Sequence, residues 1–317
     1  KQLADTQIST VSSAADLSKK QYRERFQYRL ERGHAAAATN GDIPSKRRSR
    51  STSLTQRTNS KMYDFEDFAP ACFRQLRNKG WGIDDASYMN SMCRSPLSGG
   101  QVGEGKSGML FFFSHDKKFI VKTVTKAELP FFIKIMKDYH FHMLQSSDSL
   151  LSRFMGLYRM KVAGNKAMTV VVMQNLFYTN FKVDEKFDLK GSTVKRFVTE
   201  KEIANGVSVL KDLNFRTKIF LEEKTKIKFL AAMKNDAHFL RESNIMDYSV
   251  LLGINNQGES NGKVEKLPPL PNPTFWQQRD GGVPAGNGRT ETYFLGIIDI
   301  LQKVRFFCFV LLFCFVL

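Results

Sequence analysis

Two aspartates in the second half of the chain lie beside or within apolar runs, and the second stands where an isolated carboxylate would be costly. Asp247 follows a long helical pattern and precedes the apolar run V-L-L-G, which predicts a strand. Asp299 lies inside L-G-I-I-D-I-L, which predicts a second apolar strand. An unpaired carboxylate in apolar surroundings is expensive, so a metal ion or a cationic partner is the natural explanation. Taken alone, Asp247 is explained as a helix cap and Asp299 as one half of a salt bridge. Together with a phosphate-binding loop and a lysine upstream, the pair indicates phosphoryl-transfer chemistry.

A glycine-rich segment at 100–107, G-Q-V-G-E-G-K-S, matches the P-loop pattern. A P-loop needs a buried strand before it and a helix after it. Here the loop follows S-M-C-R-S-P-L-S and leads into M-L-F-F-F-S, which has strand character. A glycine-rich turn between two strands can also cover nucleotide phosphates. The context therefore favours a hairpin turn over a P-loop.

A lysine and a glutamate follow this turn in an order that suits phosphate binding. Lys122 lies in the apolar run F-I-V-K-T-V, and Glu128 begins the next helical pattern. A lysine in an apolar strand is costly unless its ammonium group reaches an anion. We therefore expect Lys122 to contact nucleotide phosphates and Glu128 to pair with it.

A third segment, F-D-L-K-G-S-T-V-K-R at 187–196, carries three cations with a glycine and two hydroxyls. This composition suits a phosphate or an anionic headgroup. An exposed basic turn is the alternative interpretation.

The elements that must position these residues follow from hydrophobic spacing. Apolar residues at helical intervals predict helices over 62–76, 128–144 and 223–242, whereas 109–114 and 119–124 predict a β-hairpin, and 157–161 and 168–173 predict further strands. A small sheet with a helix, followed by a mostly helical part, indicates an α/β (α+β) protein with two lobes.

The remaining segments differ in composition from this domain, which we place at 61–302. Residues 1–60 are basic and poor in large apolar residues, which predicts a disordered linker, with a short basic helix over 17–30 as one option. Residues 255–292 are rich in proline and glycine, which predicts a disordered surface insert. The formal charge of +17 favours an anionic partner. The four cysteines form no metal-binding spacing, so reduced thiols are expected.

Three motifs in this order, D-L-K-G-S-T, I-M-D-Y-S-V-L-L-G and G-I-I-D-I-L-Q, resemble the phosphatidylinositol phosphate kinase family, in its 4-phosphate 5-kinase-like form. The resemblance covers about 62–302. It implies a two-lobed kinase fold with an antiparallel sheet and a helix in the first lobe and a partial second lobe. It further implies transfer of phosphate from ATP, with Mg²⁺, to the inositol ring of a phosphatidylinositol monophosphate.

The resemblance also assigns roles to individual residues. Asp247 would be the catalytic-loop aspartate, Lys190 would assist at the phosphates, Lys122 would hold ATP phosphates, and Asp299 would bind Mg²⁺. The remaining residues implied for the nucleotide are those of the glycine loop and of the hinge beside adenine: Gly105, Ser107, Gly108, Met173 and Asn175.

Partners and location follow from the same resemblance. We expect a phosphoinositide lipid and an anionic membrane surface, no nucleic acid, and either a monomer or a homodimer. The expected location is cytoplasmic, on the inner face of the plasma membrane or on an endomembrane.

The sequence departs from the family at two places. Met109 stands where the family usually has serine after the G-x-S-G loop, and an apolar tail at 303–317 replaces the expected lysine-rich activation loop. Truncation after Gln302 is therefore expected, and three functions stay open. They are an active lipid kinase, a nucleotide- or lipid-binding fragment without catalysis, and, least favoured, a P-loop NTPase.

Overall fold

A computed structural model describes residues 17–18, 20–31, 62–102, 109–162, 164–256, 267–277, 280–286 and 288–302. The strands are β1 (Arg25–Glu31), β2 (Met62–Phe68), β3 (Ser98–Val102), β4 (Leu110–Phe113), β5 (Phe119–Val124), β6 (Phe154–Val162), β7 (Met168–Gln174), β8 (Glu185–Leu189), β9 (Leu210–Lys211), β10 (Ser249–Asn255), β11 (Val283–Pro284) and β12 (Thr292–Ile298). The helices are α1 (Pro70–Gln75), α2 (Asp85–Cys93), α3 (Glu128–Gln145), α4 (Glu200–Ala204) and α5 (Glu223–Glu242). Short 3₁₀ turns lie at Gln21–Arg23, Asp212–Asn214 and Phe275–Gln277.

The first lobe is built on a seven-stranded sheet in the order β1-β2-β6-β7-β5-β4-β3. Every neighbouring pair is antiparallel. The predicted hairpin at 109–124 is confirmed, since β4 and β5 pair directly and place Phe111 opposite Lys122. In β5, Phe119 and Val121 are buried while Lys122 alternates to the other face.

The glycine-rich segment joins β3 to β4, which pair as antiparallel strands. A strand therefore follows the loop where a P-loop would have a helix, and this confirms that the pattern at 100–107 is not a P-loop. Gly99 and Gly100 have φ of 107° and 85°, which only glycine adopts without strain. Residues 103–108, and with them Gly105, Ser107 and Gly108, lie outside the described residues.

Helix α3 confirms the helix predicted at 128–144 and packs along the first sheet. Its inner face buries Phe132, Met136 and Tyr139, which are spaced three to four residues apart. The Tyr139 hydroxyl donates to the Ser152 carbonyl at 2.7 Å, so it does not lie unpaired in the core.

The second lobe contains a five-stranded sheet in the order β11-β12-β10-β8-β9 and the long helix α5. The helix predicted at 223–242 is confirmed, but the prediction of a mostly helical second part is wrong for the described residues. Apolar strands after Asp247 and around Asp299 were expected, but their pairing with β8 in one sheet was not predicted. β10 and β12 are apolar runs covered on both faces, which lack a clear period of two. Together the two sheets and their helices confirm the α/β (α+β) class.

Two predictions near the start of the chain are wrong. Residues 25–31 form β1, which pairs along its whole length with β2, and are neither helix nor linker. The predicted helix over 62–76 is a strand followed by a helix. The helix α1 starts only at Pro70, after Ala69 with φ 46°. In both segments the letters also alternate with a period of two, R-F-Q-Y-R-L-E and Y-D-F-E, and sheet pairing selected that period.

Part of the predicted disordered insert packs against the second lobe. The Trp276 side chain is buried and its indole N–H donates to the Asp148 carbonyl at 2.6 Å. The Asp280 carboxylate accepts from the backbone N–H of Asn180 at 2.6 Å and from its side chain at 2.9 Å. The prediction of disorder is therefore wrong for the described part of 255–292. The tail at 303–317 lies outside the described residues.

The lobes contact each other through short hydrogen bonds next to the end of β12. Ile297 of β12 bonds two residues that follow α3. The Ile297 carbonyl accepts from the Ser152 N–H at 2.9 Å, and the Ile297 N–H donates to the Leu150 carbonyl at 2.7 Å. None of the described helices combines the length and apolar character that a bilayer-spanning segment needs.

Candidate active site

Strand register brings three predicted site residues to one edge of the second sheet. β10 and β12 pair with Ser249 opposite Ile298, and β10 and β8 pair with Val250 opposite Leu189. Because β10 begins at this edge while β8 and β12 end there, the residues flanking the strands meet: Lys190 after β8, Asp247 before β10 and Asp299 after β12. A further bond, from the Met246 N–H to the Gln302 carbonyl at 2.9 Å, ties the two aspartate segments together.

Lys190 holds Asp247 at two points. Its Nζ lies 2.5 Å from Asp247 Oδ1 and donates to the Asp247 backbone carbonyl at 3.0 Å. Asp247 has φ 59°, the left-handed region that a non-glycine residue adopts at a cost of about 1–3 kcal/mol. A two-point contact that fixes both the backbone and the carboxylate of one residue restricts the direction in which that carboxylate points.

Lys122 reaches across from the first lobe to Asp299. The Lys122 Nζ lies 2.5 Å from Asp299 Oδ1, and it also lies 5.5 Å from the centroid of the Phe111 ring. The Lys122 side chain is 12% exposed and that of Asp299 34% exposed, so the pair is partly shielded from water. Asp299 also has a left-handed φ, of 62°. The sequence predicted that Asp299 lies within a strand, and this is wrong: Asp299 lies directly after β12.

The predicted pairing of Lys122 with Glu128 is wrong in this structure. Glu128 Oε2 accepts from the Thr125 N–H at 2.7 Å, and Thr125 Oγ1 accepts from the Glu128 N–H at 3.2 Å. This reciprocal pair closes the first turn of α3, whose N–H groups have no partner within the helix. The glutamate is thus bound to its own helix start, and Asp299 is the partner of Lys122.

The basic segment after β8 is organised by two aspartates that the sequence analysis did not select. Asp212 Oδ1 accepts from the N–H groups of Lys190 and Gly191 at 2.9 and 2.8 Å, and its Oδ2 accepts from Arg196 Nε at 2.6 Å. Arg196 also bonds the carbonyl and the carboxylate of Asp188. Asp212 was missed because it lies 16 residues after the end of that segment, at Arg196, and only the parallel pairing of β8 with β9 brings it near.

These contacts correct the expectation that three cations of the segment face an anionic ligand. Arg196 is largely buried and bonded to two carboxylates, so its charge is neutralised within the fold. Lys190 is paired with Asp247, and Lys195 is exposed. Arg196 is therefore not available to an anionic ligand, whereas the ammonium groups of Lys190 and Lys195 are not neutralised in this way.

The predicted hinge begins in the last two residues of β7 and continues beyond the strand. Met173 lies in β7 opposite Ile120 and Phe154, partly buried against the core. The Asn175 side chain donates to the Lys117 carbonyl at 2.9 Å and accepts from the Phe177 N–H at 3.0 Å. These contacts fasten the hinge to the β4–β5 turn. They give the Asn175 side chain a structural role. Its backbone is bonded as well, since the N–H donates to the Lys118 carbonyl at 2.8 Å and the carbonyl accepts from the Tyr178 N–H at 3.2 Å.

The donor set at the sheet edge fits Mg²⁺ held together with a nucleotide. Among the described residues, no group of three or more His, Cys, Asp or Glu side chains is arranged to hold a metal ion. Mg²⁺ at nucleotide sites is usually bound by one or two carboxylates plus phosphate oxygens and water. Asp247 and Asp299 supply two carboxylates at one edge, which matches that arrangement and not an all-protein cage.

One family model and several curated relatives match this chain. The family model described as "Phosphatidylinositol-4-phosphate 5-Kinase" matches residues 92–307. A probable phosphatidylinositol phosphate kinase of Dictyostelium discoideum is 34% identical over 312 residues, covering 79% of this chain. Phosphatidylinositol 4-phosphate 5-kinase 9 of Arabidopsis thaliana is 35% identical over 206 residues, covering 65% of this chain. Phosphatidylinositol 5-phosphate 4-kinase type-2 alpha of Mus musculus is 33% identical over 278 residues, covering 75%.

The chain spans only part of these relatives. It covers 43% of the length of the Dictyostelium protein, 25% of the Arabidopsis protein and 68% of the mouse protein.

Proposed function

The chain belongs to the phosphatidylinositol phosphate kinase family, and from this premise we propose that it transfers the γ-phosphate of ATP to an inositol-ring hydroxyl of a phosphatidylinositol monophosphate. The observation that carries the proposal is the meeting of two lysine–aspartate pairs, Lys190–Asp247 and Lys122–Asp299, at one sheet edge between the lobes. Phosphoryl transfer needs little covalent chemistry from the protein, and positioned charges supply most of its catalysis.

Asp247 has the features of the group that positions the acceptor. Its carboxylate is half exposed, so a substrate hydroxyl can reach it, and Lys190 fixes its direction. In this role Asp247 accepts a hydrogen bond from the inositol hydroxyl. It takes the hydroxyl proton as the ring oxygen bonds to the γ-phosphorus and the bond from that phosphorus to ADP breaks. Lys190 keeps the carboxylate aimed and stabilises its charge before the transfer.

Lys122 and Asp299 have the features of the nucleotide side. Lys122 is a partly shielded cation on the sheet that carries the glycine-rich hairpin, where it would contact ATP phosphates. Asp299, with Asp247 nearby, would hold Mg²⁺, which neutralises charge on the phosphates during transfer. The hinge that begins at Met173 would border the adenine base.

The relatives differ in which hydroxyl of the inositol ring accepts the phosphate. Relatives named as a 5-kinase of the 4-phosphate lipid and as a 4-kinase of the 5-phosphate lipid match at 35% and 33% identity. We therefore propose a phosphatidylinositol monophosphate as the substrate class. The reaction would take place on the cytoplasmic face of the plasma membrane or of an endomembrane, where the charge of +17 favours an anionic lipid surface.

The test is transfer of label from γ-labelled ATP to vesicles that contain either the 4-phosphate or the 5-phosphate lipid. Asp247→Asn should lower lipid phosphorylation about 100-fold or more, because the variant cannot take the proton. Asp138→Asn, on the exposed face of α3, is the matched control and should act like the wild type.

Three outcomes discriminate among the functions. Phosphorylation that fails only in Asp247→Asn supports the kinase. ATP binding by the wild type without any transfer would replace it with a nucleotide-binding role. Hydrolysis of ATP that survives Asp247→Asn but is lost in Lys106→Ala would restore the P-loop interpretation.

A further inference from the structure

Large exposed apolar residues are concentrated beside the candidate site. The described residues with large exposed apolar side chains are Phe26, Met89, Phe141, Val194, Phe197, Ile203, Leu213 and Ile227. Half of them fall within residues 194–213, the segment that continues directly from Lys190. Scattered exposed apolar residues need no explanation, whereas a group of them marks an interaction surface.

Three of these side chains form what we call the apolar tip: Val194, Phe197 and Leu213. They are 75%, 47% and 43% exposed. The Leu213 N–H donates to the Arg196 carbonyl at 2.9 Å, which brings the 212–214 turn against the 194–197 loop. The three side chains therefore belong to one local surface.

The base of this loop is held rigidly, so the exposure of the tip is a property of the fold. Arg196 is bonded between Asp188 and Asp212. Asn214 bonds Val198 twice, accepting from its N–H at 2.8 Å and donating to its carbonyl at 2.9 Å. The polar groups point inward and are satisfied, and the apolar side chains remain outside.

The surroundings of the tip are basic. Residues 190–218 contain seven Lys or Arg residues against three Asp or Glu residues. The exposed cations, which we call the basic rim, are Lys195, Lys201, Arg216 and Lys218. Of the three acids, Asp212 is bonded to Arg196 within the loop base and Glu202 to Thr199 at the start of α4.

We propose that the apolar tip inserts into the headgroup region of an anionic lipid bilayer while the basic rim contacts the lipid phosphates. Apolar side chains ringed by cations are the pattern of interfacial membrane contacts, in which apolar burial and attraction to anionic lipid add. The proposal rests on the proposed function, since a lipid substrate keeps its acyl chains in the bilayer and its ring must still reach Asp247. The loop that carries Lys190 also carries the tip, so insertion would seat the site against the headgroups.

A fluorescent reporter tests insertion directly. The chain has two tryptophans, Trp81 and Trp276, and each is only 2% exposed, so both give a constant background. Phe197→Trp places a third indole on the tip, and Phe141→Trp places one on the exposed face of α3 as the control. With vesicles of phosphatidylcholine and phosphatidylserine carrying brominated acyl chains, and no phosphoinositide, we expect a blue shift and quenching for Phe197→Trp only. Equal responses from both variants, or none from Phe197→Trp, would overturn the proposal.

A second pair of variants tests the contribution of the tip to binding. Val194→Ser/Phe197→Ser/Leu213→Ser should lower the partition of the chain onto these vesicles about tenfold or more, because three apolar side chains lose their burial in lipid. A triple serine variant at Met89, Phe141 and Ile227 removes comparable exposed apolar groups elsewhere and should bind like the wild type. Unchanged binding by the tip variant would overturn insertion of the tip into the bilayer.

Measurements of kinase activity on soluble lipid and on vesicles distinguish failure of this inference from failure of the proposed function. The tip variant should phosphorylate a water-soluble, short-chain phosphoinositide like the wild type and should lose activity only on vesicles. If the wild type phosphorylates no phosphoinositide but Phe197→Trp still inserts, the proposed function fails and the membrane surface stands. If the tip variant keeps full activity on vesicles, the membrane surface fails and the kinase stands.

Discussion

Replacement of Asp236 tests how strongly helix α5 is fastened to the first lobe. The Asp236 side chain is fully buried on α5 and bonds three groups that follow or end α3. His142 Nε2 lies 2.7 Å from Oδ1, Ser149 Oγ donates to Oδ1 at 2.8 Å, and the Leu150 N–H donates to Oδ2 at 2.7 Å. Because α5 leads into the segment of Asp247, this carboxylate also supports the candidate site from behind.

The expected magnitude follows from the number of partners that are left behind. Asp236→Ala removes a charged acceptor and strands the donors of Ser149 and Leu150 in the interior. Each buried donor without a partner costs about 1–3 kcal/mol, and breaking a buried charged contact costs about 3–5 kcal/mol. We therefore expect the free energy of unfolding to fall by about 3–5 kcal/mol. Asp236→Asn keeps one oxygen but turns an N–H₂ group toward existing donors. We therefore expect its free energy of unfolding to fall by about 2–3 kcal/mol.

Urea unfolding followed by circular dichroism measures this loss. The control Asp138→Ala removes an exposed carboxylate from α3 and should change stability by less than about 0.5 kcal/mol. If Asp236→Ala unfolds within about 1 kcal/mol of the wild type at the same denaturant dependence, the buried contact is not what joins α5 to the first lobe.

Three further predictions concern the site and the first sheet. Asp299→Asn should lower the free energy of unfolding by about 1–3 kcal/mol because Lys122 loses its partner, and Lys122→Met/Asp299→Asn should recover part of it; a double variant less stable than the single one in urea would contradict this. Burial raises the pKa of Asp67 to about 7, so the folded protein holds a proton that the unfolded chain releases, and stability should fall as pH rises from about 4 to above 7. Asp67→Asn should remove that slope and be more stable than the wild type at pH 8 by up to about 4 kcal/mol, whereas parallel stability curves would refute the assignment. Arg196→Lys cannot bond Asp212 and a second carboxylate at once, so kcat/KM on lipid vesicles should fall about tenfold, and an unchanged value would show that this network does not position Lys190.

The sequence predicted site residues where a charged side chain stood in an apolar run. Lys122 and Asp299 each stood out as a charge in an apolar run, and the structure pairs them with each other. The sequence could not show that pairing, because 177 residues separate the two and only the packing of the lobes brings them together. Glu128 was the nearer acid, and it is used at its own helix start.

The fold was predictable where one periodicity ruled out the other. Helices α3 and α5 carry apolar residues on one face over four or more turns, and both were predicted within a residue or two. At 25–31 and 62–68 the apolar spacing fitted helix and strand alike, and pairing between strands decided it. The insert at 267–277 shows the converse, since proline and glycine content predicted disorder while the buried Trp276 packs against Phe229 of α5 in the second lobe.

The two lysine–aspartate pairs differ in a way that bears on the order of events at the site. Lys190 contacts both the backbone and the carboxylate of Asp247, so a ligand can displace one contact and leave the other intact. Lys122 contacts Asp299 through one short ion pair at the junction of the lobes. Phosphate oxygens offer Lys122 an alternative anion, and a metal ion offers Asp299 an alternative cation. Under the proposed function, binding of a metal–nucleotide complex would therefore exchange partners at the second pair without exposing an unpaired charge, while the first pair would stay in place to receive the acceptor.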